Sequence, residues 1–376
     1  MTPGAPGPAA LTGCTIVVAA DRRAGDLASA LQRRGAHVLC APPLSILPNA
    51  DDAELVSRTR RIVAEPPDVV VVTTGVGFRG WMDAAHEHGL DEQLHAALAG
   101  ARFIARGPKA HGAIQQSGFT ADWVAPTETA AEVGAHLLRT PLTGCRVVVQ
   151  HHGAGSDGLD ALLESQGATV TPIVVYRWAQ PRDPELLTQS VQSAAGGEAD
   201  AVLFTSAPSA SAWLRAAADA NVVEAVRRRA GSGRLLLAAV GPITAAPLRD
   251  AGMAVTVADR GRLGSLARCV VGALGPGGAA PVLRTPAGEL SLRSGGAWLE
   301  DAFLPLSRAG AALLGALFDA GGRVLSRDEL AASLPRAGGN AHAVEMAVAR
   351  LREALGGADV VRTVVKRGYR LALADD

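Results

Sequence analysis

A chain of 376 residues is too long for one ordinary hydrophobic core, so two or three globular units are expected. Its 48% hydrophobic and 19% charged residues exclude an intrinsically disordered chain, and the formal net charge of zero confines any nucleic-acid surface to a local patch. No apolar run approaches the roughly 20 residues of a membrane span, and the start MTPGAPGPAA lacks the form of a signal peptide, so a cytoplasmic protein with no membrane partner is expected.

Residues 1–10 form a Pro/Gly/Ala lead that reads as disordered. From 11 to 272, short β-branched runs alternate with amphipathic Ala/Leu-rich stretches: TIVVAA (15–20), HVLC (37–40), DVVVVTT (68–74), RFIAR (102–106), DWVAP (122–126), RVVVQ (146–150), TVTPIVVY (169–176), AVLFT (201–205), LLLAAV (235–240) and AVTVA (254–258). Near-continuous apolar strands separated by helices imply parallel sheets covered on both faces, an α/β architecture. The four cysteines, Cys14, Cys40, Cys145 and Cys269, lie far apart without metal-ligand spacing and read as buried free thiols, so no metal is expected.

Ten strands are too many for one small sheet, and the region echoes itself. VVTTGVGFRGW and LFTSAPSASAW share a strand, two small hydroxyl residues, a helix and a Trp; ARGPKAHGAIQQSGFTADWVAP and AVGPITAAPLRDAGMAVTVAD share a strand, Gly-Pro, a helix, Gly and a strand. Two similar α/β domains follow.

The Gly- and Pro-rich stretch 273–281 reads as a linker, and after it the pattern changes. Residues 282–306 alternate apolar and polar side chains with turn signals, as a small antiparallel sheet does. SRAGAALLGALFDAGG opens on a capping Ser and stops at Gly-Gly. In SRDELAASL, Ser326 and Glu329 have capping-box spacing. In NAHAVEMAVARLREALGG a buried stripe of Val344, Val348, Leu351 and Leu355 is predicted, and Tyr369 of the closing hairpin reads as a core residue.

VARLREAL followed by TVVKRGYRL resembles the OmpR-type winged helix-turn-helix, over 282–374. The resemblance implies binding of double-stranded DNA, with His342, Ala349, Arg350 and Arg352 facing it from the recognition helix and Arg362, Thr363, Lys366 and Arg367 around the wing. Over 340–374, six Lys and Arg face three acids, Glu345, Glu353 and Asp359, a modest excess that suits a homodimer on two half-sites. A phospho-receiver input is disfavoured: its chemistry needs an acidic pair after the first strand, and this chain offers Asp21 alone, while DVVVVTT ends in Thr73 and Thr74 where an Asp is required.

VVVVTTGVGF, GPKAHGA, GPITAAPL, PIVVYRW and LFTSAPSASAWL resemble segments of uroporphyrinogen-III synthase, over roughly 11–272. That family implies two flavodoxin-like parallel-sheet domains, here 11–43 plus 178–272 and 44–177, which cyclise the linear tetrapyrrole hydroxymethylbilane between them. By position the resemblance implies ligand-binding roles for Thr73, Thr74, Lys109, His151, His152, Thr205, Ser206, Ser209 and Thr244, and a catalytic role for Tyr176 if the chain is an enzyme. HHGAG and TTGVGFRGW depart from the family's pattern, and Lys109 reads equally as a carboxylate clamp or a surface residue. No cofactor is required, and a tetrapyrrole is the expected effector.

Fusions of such a region to an OmpR-type module resemble actinobacterial regulators of nitrate and nitrite assimilation. Two readings stand: a transcription regulator whose synthase-like region senses a tetrapyrrole, dimerises or meets another regulator, and an active synthase carrying a DNA-binding tail.

Overall fold

The computed structural model describes residues 9–21, 23–48, 53–151, 158–334, 341–357 and 359–374. The chain divides into two compact units, Met1–Leu44 with Pro181–Asp376, and Ser45–Gln180. The first opens with β1 (Thr15–Ala19), α1 (Ala24–Gln32) and β2 (His37–Cys40). The second contains β3 (Ser45–Pro48), α2 (Ala53–Ala64), β4 (Val69–Val72), α3 (Gly75–Glu87), α4 (Asp91–Leu98), β5 (Arg102–Ala105), α5 (Pro108–Gln116), β6 (Ala121–Val124), α6 (Ala130–Leu137), β7 (Arg146–His151), α7 (Leu159–Ser165), β8 (Thr169–Val174) and β9 (Tyr176–Ala179). The chain then returns to the first unit with α8 (Pro184–Gly196), β10 (Ala201–Phe204), α9 (Ala207–Asp219), α10 (Val223–Gly231), β11 (Leu236–Ala239), α11 (Pro242–Asp250), β12 (Thr256–Val257) and α12 (Leu263–Leu274).

Each unit holds a five-stranded parallel sheet, ordered β12-β11-β10-β1-β2 in the first and β6-β5-β4-β7-β8 in the second. These are one topology written twice, with β10 and β4 in the same place. The apolar strands follow from burial on both faces. Val70 and Val72 of β4 join the core containing Phe78, Trp81 and Leu94, whereas Val69 and Val71 join the core containing Val133, Leu137 and Leu163. Successive side chains along a strand point to opposite faces, so all four valines are needed.

The echo extends to single hydrogen bonds. Trp81 Nε1 donates to Thr59 Oγ1 at 3.0 Å, and that hydroxyl donates to Leu55 O at 2.7 Å. In the other unit Trp213 Nε1 donates to Ser190 Oγ at 3.1 Å, and that hydroxyl donates to Leu187 O at 2.7 Å. Asp68, just before β4, accepts from Arg146 N of β7 at 2.8 Å; Asp200, just before β10, accepts from Thr15 N of β1 at 2.8 Å. Asp68 is exposed, whereas Asp200 is buried.

Two expectations are corrected. The run 169–176 reads as one strand but breaks after Val174, and Tyr176 opens β9, which pairs antiparallel with β3. A continuous β-branched run carries no punctuation to mark a change of partner, and β3 itself, SILP with a closing Pro, gives little signal. The stretch read as a linker is helical at its start, because α12 continues to Leu274 before Gly275.

The rest of the first unit is an antiparallel sheet of β13 (Val282–Thr285), β14 (Gly288–Arg293), β15 (Gly296–Leu299) and β16 (Ala302–Pro305), then α13 (Arg308–Asp319), α14 (Arg327–Ser333) and α15 (Ala341–Ala354), and a hairpin of β17 (Val361–Val364) and β18 (Gly368–Leu371). The predicted capping box is formed: Glu329 N donates to Ser326 Oγ and Ser326 N to Glu329 Oε2. Val344, Val348, Leu351 and Leu355 are buried as one stripe against Leu313, Leu314 and Leu317, and Tyr369 joins the same core. This module is joined to the preceding α/β domain by more than the linker. Gly295 N donates to Gly13 O at 2.9 Å, Arg293 Nε donates to Leu274 O at 3.2 Å, and Arg234 lies 3.5 Å from Asp319 and 4.9 Å from the centre of the Phe318 ring.

Candidate nucleic-acid interface and strand-end sites

In parallel sheets, ligands meet the carboxyl ends of the strands, where helices begin with unpaired amides. In the second unit Thr73 and Thr74 follow β4. Thr73 is buried, and its Oγ1 donates to Gln150 O at 2.7 Å. Thr74 caps α3 by accepting from Gly77 N at 3.1 Å, while its own N–H donates to Gln150 Oε1 at 3.2 Å. A Cβ at Gly77 would lie 1.9 Å from Gln150 Nε2, so a larger residue there would displace the Gln150 side chain. His151 is buried at the end of β7, with Nε2 2.8 Å from Asp160 Oδ2. Lys109 is exposed in the first turn of α5.

Gln150 and Asp160 were not singled out from sequence, although a polar residue ending a wholly apolar strand is itself a signal. His152 lies outside the described residues, as does the side chain of Tyr176; the Tyr176 backbone pairs with Pro48.

The first unit repeats the arrangement. Thr205 and Ser206 follow β10, and Ser206 caps α9, accepting from Ser209 N at 3.3 Å while its Oγ donates to Ser209 Oγ at 3.0 Å. Gly241 and Pro242 open α11 after β11, as Gly107 and Pro108 open α5 after β5, and Thr244 is buried in the first turn. The ends of β4, β5, β10 and β11 therefore present hydroxyl-capped or Gly-Pro helix starts, an arrangement that suits carboxylates.

In the C-terminal module, α15 exposes His342, Glu345, Met346, Ala349, Arg350 and Glu353 opposite its buried stripe. Thr363, Lys366 and Arg367 are exposed on the hairpin, where Lys366 adopts φ 61° at the tip and Arg367 N closes the turn onto Val364 O at 2.9 Å. Several charges are already engaged. Arg327 Nε meets Glu345 Oε1 at 3.0 Å, and Arg362 Nη2 meets Asp359 Oδ2 at 2.9 Å. Arg352 is half-buried, donating from Nε to Val361 O and from Nη2 to Thr363 Oγ1, each at 2.9 Å. A helix exposing Arg350 beside a basic hairpin tip can enter a major groove while the tip reaches phosphates or the minor groove.

Residues 25–268, more than half of the chain, match the protein family described as uroporphyrinogen-III synthase HemD. The chain belongs to the uroporphyrinogen-III synthase HemD family. Residues 301–371 match the family described as transcriptional regulatory protein, C terminal, so the HemD-like region is joined to an OmpR-type DNA-binding domain. The chain is similar to the uncharacterised protein YjjA of Bacillus subtilis (strain 168), at 26% identity over 235 residues, covering 62% of this chain and 86% of that protein. It is also similar to a mutant uroporphyrinogen III synthase from the extremely thermophilic bacterium Thermus thermophilus, at 28% identity and a TM-score of 0.57, covering 68% of this chain and 96% of that one. The DNA-binding domain of E. coli CadC is 31% identical, with a TM-score of 0.22, over 25% of this chain and 92% of that one. The HemD-like region accounts for the duplicated parallel sheets, and the DNA-binding domain supports double-stranded DNA as a partner.

Proposed function

We propose that this chain is a transcription regulator of nitrate and nitrite assimilation whose HemD-like region is a tetrapyrrole sensor or a dimerisation region. The observation that carries the DNA-binding part is the exposed recognition helix, with Arg350 on its open flank beside a hairpin tip bearing Lys366 and Arg367. The modest local charge favours binding as a homodimer on two half-sites, or beside another regulator. The nitrogen assignment rests on the resemblance to actinobacterial regulators of this fusion type, and it has a chemical logic: nitrite reduction uses sirohaem, which derives from uroporphyrinogen III, so a region that met tetrapyrroles would be suited to report that supply. Ligand-binding roles for Thr73, Thr74, Lys109, His151, Thr205, Ser206, Ser209 and Thr244 belong to the same proposal.

The test is fluorescence anisotropy of the full chain on its own upstream DNA across a salt series, beside Arg350→Ala. Selective, salt-sensitive binding that weakens in the variant is expected; equal weak binding to all duplexes refutes the regulator.

The family match favours a second reading, an active synthase that closes hydroxymethylbilane with Tyr176 assisting loss of the leaving hydroxyl. A coupled assay decides it, since uroporphyrinogen III formed above the spontaneous background requires the enzyme.

A further inference from the structure

On an α-helix, residues two apart lie about 200° apart around the axis, so Arg350 and Arg352 cannot both face one groove. The buried stripe of α15 separates them. Arg350 shares the open flank with His342, Met346, Ala349 and Glu353, all exposed. Arg352 lies on the other flank, where its guanidinium carbon is 5.8 Å from the centre of the Tyr369 ring and its donors reach Val361 O and Thr363 Oγ1. Arg327 of α14 approaches the same ring at 5.9 Å and is held by Glu345. A continuous row, Glu345–Arg327–Tyr369–Arg352–Thr363, thus joins α14 and α15 to both strands of the hairpin.

We infer that Arg352 is a positioning residue: it sets the angle of the hairpin to the recognition helix and makes no contact with DNA. The inference rests on the DNA-binding reading above. A planar guanidinium suits the task because two of its fixed donors meet a backbone carbonyl and a hydroxyl on the same strand, two positions apart. Turning that group to a phosphate would forfeit both polar bonds between the helix and the hairpin, leaving only their shared apolar core. Lysine has the charge without the fork, and so separates positioning from attraction.

The experiment uses the full-length chain on a duplex it enriches from a random pool, with anisotropy over a salt series and hydroxyl-radical footprinting. Arg352→Ala is expected to weaken binding roughly tenfold at one salt concentration, to keep the wild-type salt slope, and to lose protection on the hairpin side of the footprint. Arg352→Lys should not restore affinity. Thr363→Val, which leaves the guanidinium and its bond to Val361 O in place, should reproduce part of the loss and add nothing to Arg352→Ala, and it serves as the test if the alanine variant fails to fold. Lys366→Ala is the contrast, since loss of a phosphate contact lowers the slope by about one. A slope reduced by about one in Arg352→Ala, or wild-type affinity restored by lysine, overturns the inference while leaving DNA binding intact. Absence of selective binding by the unaltered chain overturns both.

Discussion

The Ser294 hydroxyl donates to Asp200 Oδ2 at 2.5 Å, and the Ser294 N–H meets the same carboxylate at 2.9 Å, so one side chain of the α/β domain holds the turn between β14 and β15 of the DNA-binding module. Thr15 N is the third donor to that carboxylate. Hydrogen bonds to charged groups contribute more than neutral ones, and orphaned donors cost free energy. Ser294→Ala is expected to destabilise the chain by about 1.5–3 kcal/mol and Asp200→Ala by about 2–4 kcal/mol, against about 1 kcal/mol for Asp68→Ala, whose exposed carboxylate holds only a strand start. Urea denaturation followed by tryptophan fluorescence checks the ranking, and an Asp68 effect equal to that of Asp200 would contradict it.

Burial pushes the Asp200 carboxyl above the usual carboxylate range, opposed by its donors and by the charge of Arg293. The folded state therefore holds this proton more tightly than the unfolded chain. Its contribution to stability falls as pH rises from the ordinary carboxylate value through the raised folded value, and is level above that. Asp200→Asn cannot titrate, so the stability of the wild type relative to this variant should decline across that window as pH rises. A flat difference from about pH 4 to about pH 8 would show that the carboxyl ionises without penalty.

Cys14 lies beneath the same contact, and burial pushes its thiol up to about 12, helped by the nearby Asp200 charge. At pH 8 its thiolate fraction is then about one in ten thousand. Iodoacetamide under native conditions should label Cys145, which is partly exposed, well before Cys14. Mass spectrometry of the digested protein gives the order, and rapid labelling of Cys14 would mean that the module undocks readily.

The matched Trp–hydroxyl pairs should behave alike. Trp81→Phe and Trp213→Phe each remove the N–H donated to a buried hydroxyl, which keeps its own bond to a backbone carbonyl, and leave a gap, for a cost of about 2–4 kcal/mol. Thr59→Val and Ser190→Ala leave an indole N–H unpaired, for about 1–3 kcal/mol. Thermal unfolding of the four variants tests whether the second unit and its counterpart use these bonds to the same extent.

The sequence displayed the parts of the fold that depend on repetition. Val69 to Val72 read as a strand because both faces of β4 are covered, and the stripe of α15 and the capping box of α14 were legible because helix periodicity and cap chemistry are local. The break at Val175 was hidden because apolar residues suit either of two sheets. The engagement of Arg352 was hidden for a related reason: its motif position says that a guanidinium stands at the end of the recognition helix, while the carbonyl and hydroxyl it meets lie 9 and 11 residues further along. Asp200 gave no local signal, since Ser294, 94 residues away, determines its surroundings.

Asp68 and Asp200 occupy one position of a duplicated scaffold, and only one of them has a module attached. The carboxylate that holds the DNA-binding module thus also performs the task that its twin performs alone, fixing the first amide of a neighbouring strand. On the side of the α/β domain the anchor is a carboxylate that both units carry; on the module's side it is the turn presenting Ser294. The twin edge, with Asp68 exposed, shows the same carboxylate at work where no module covers it.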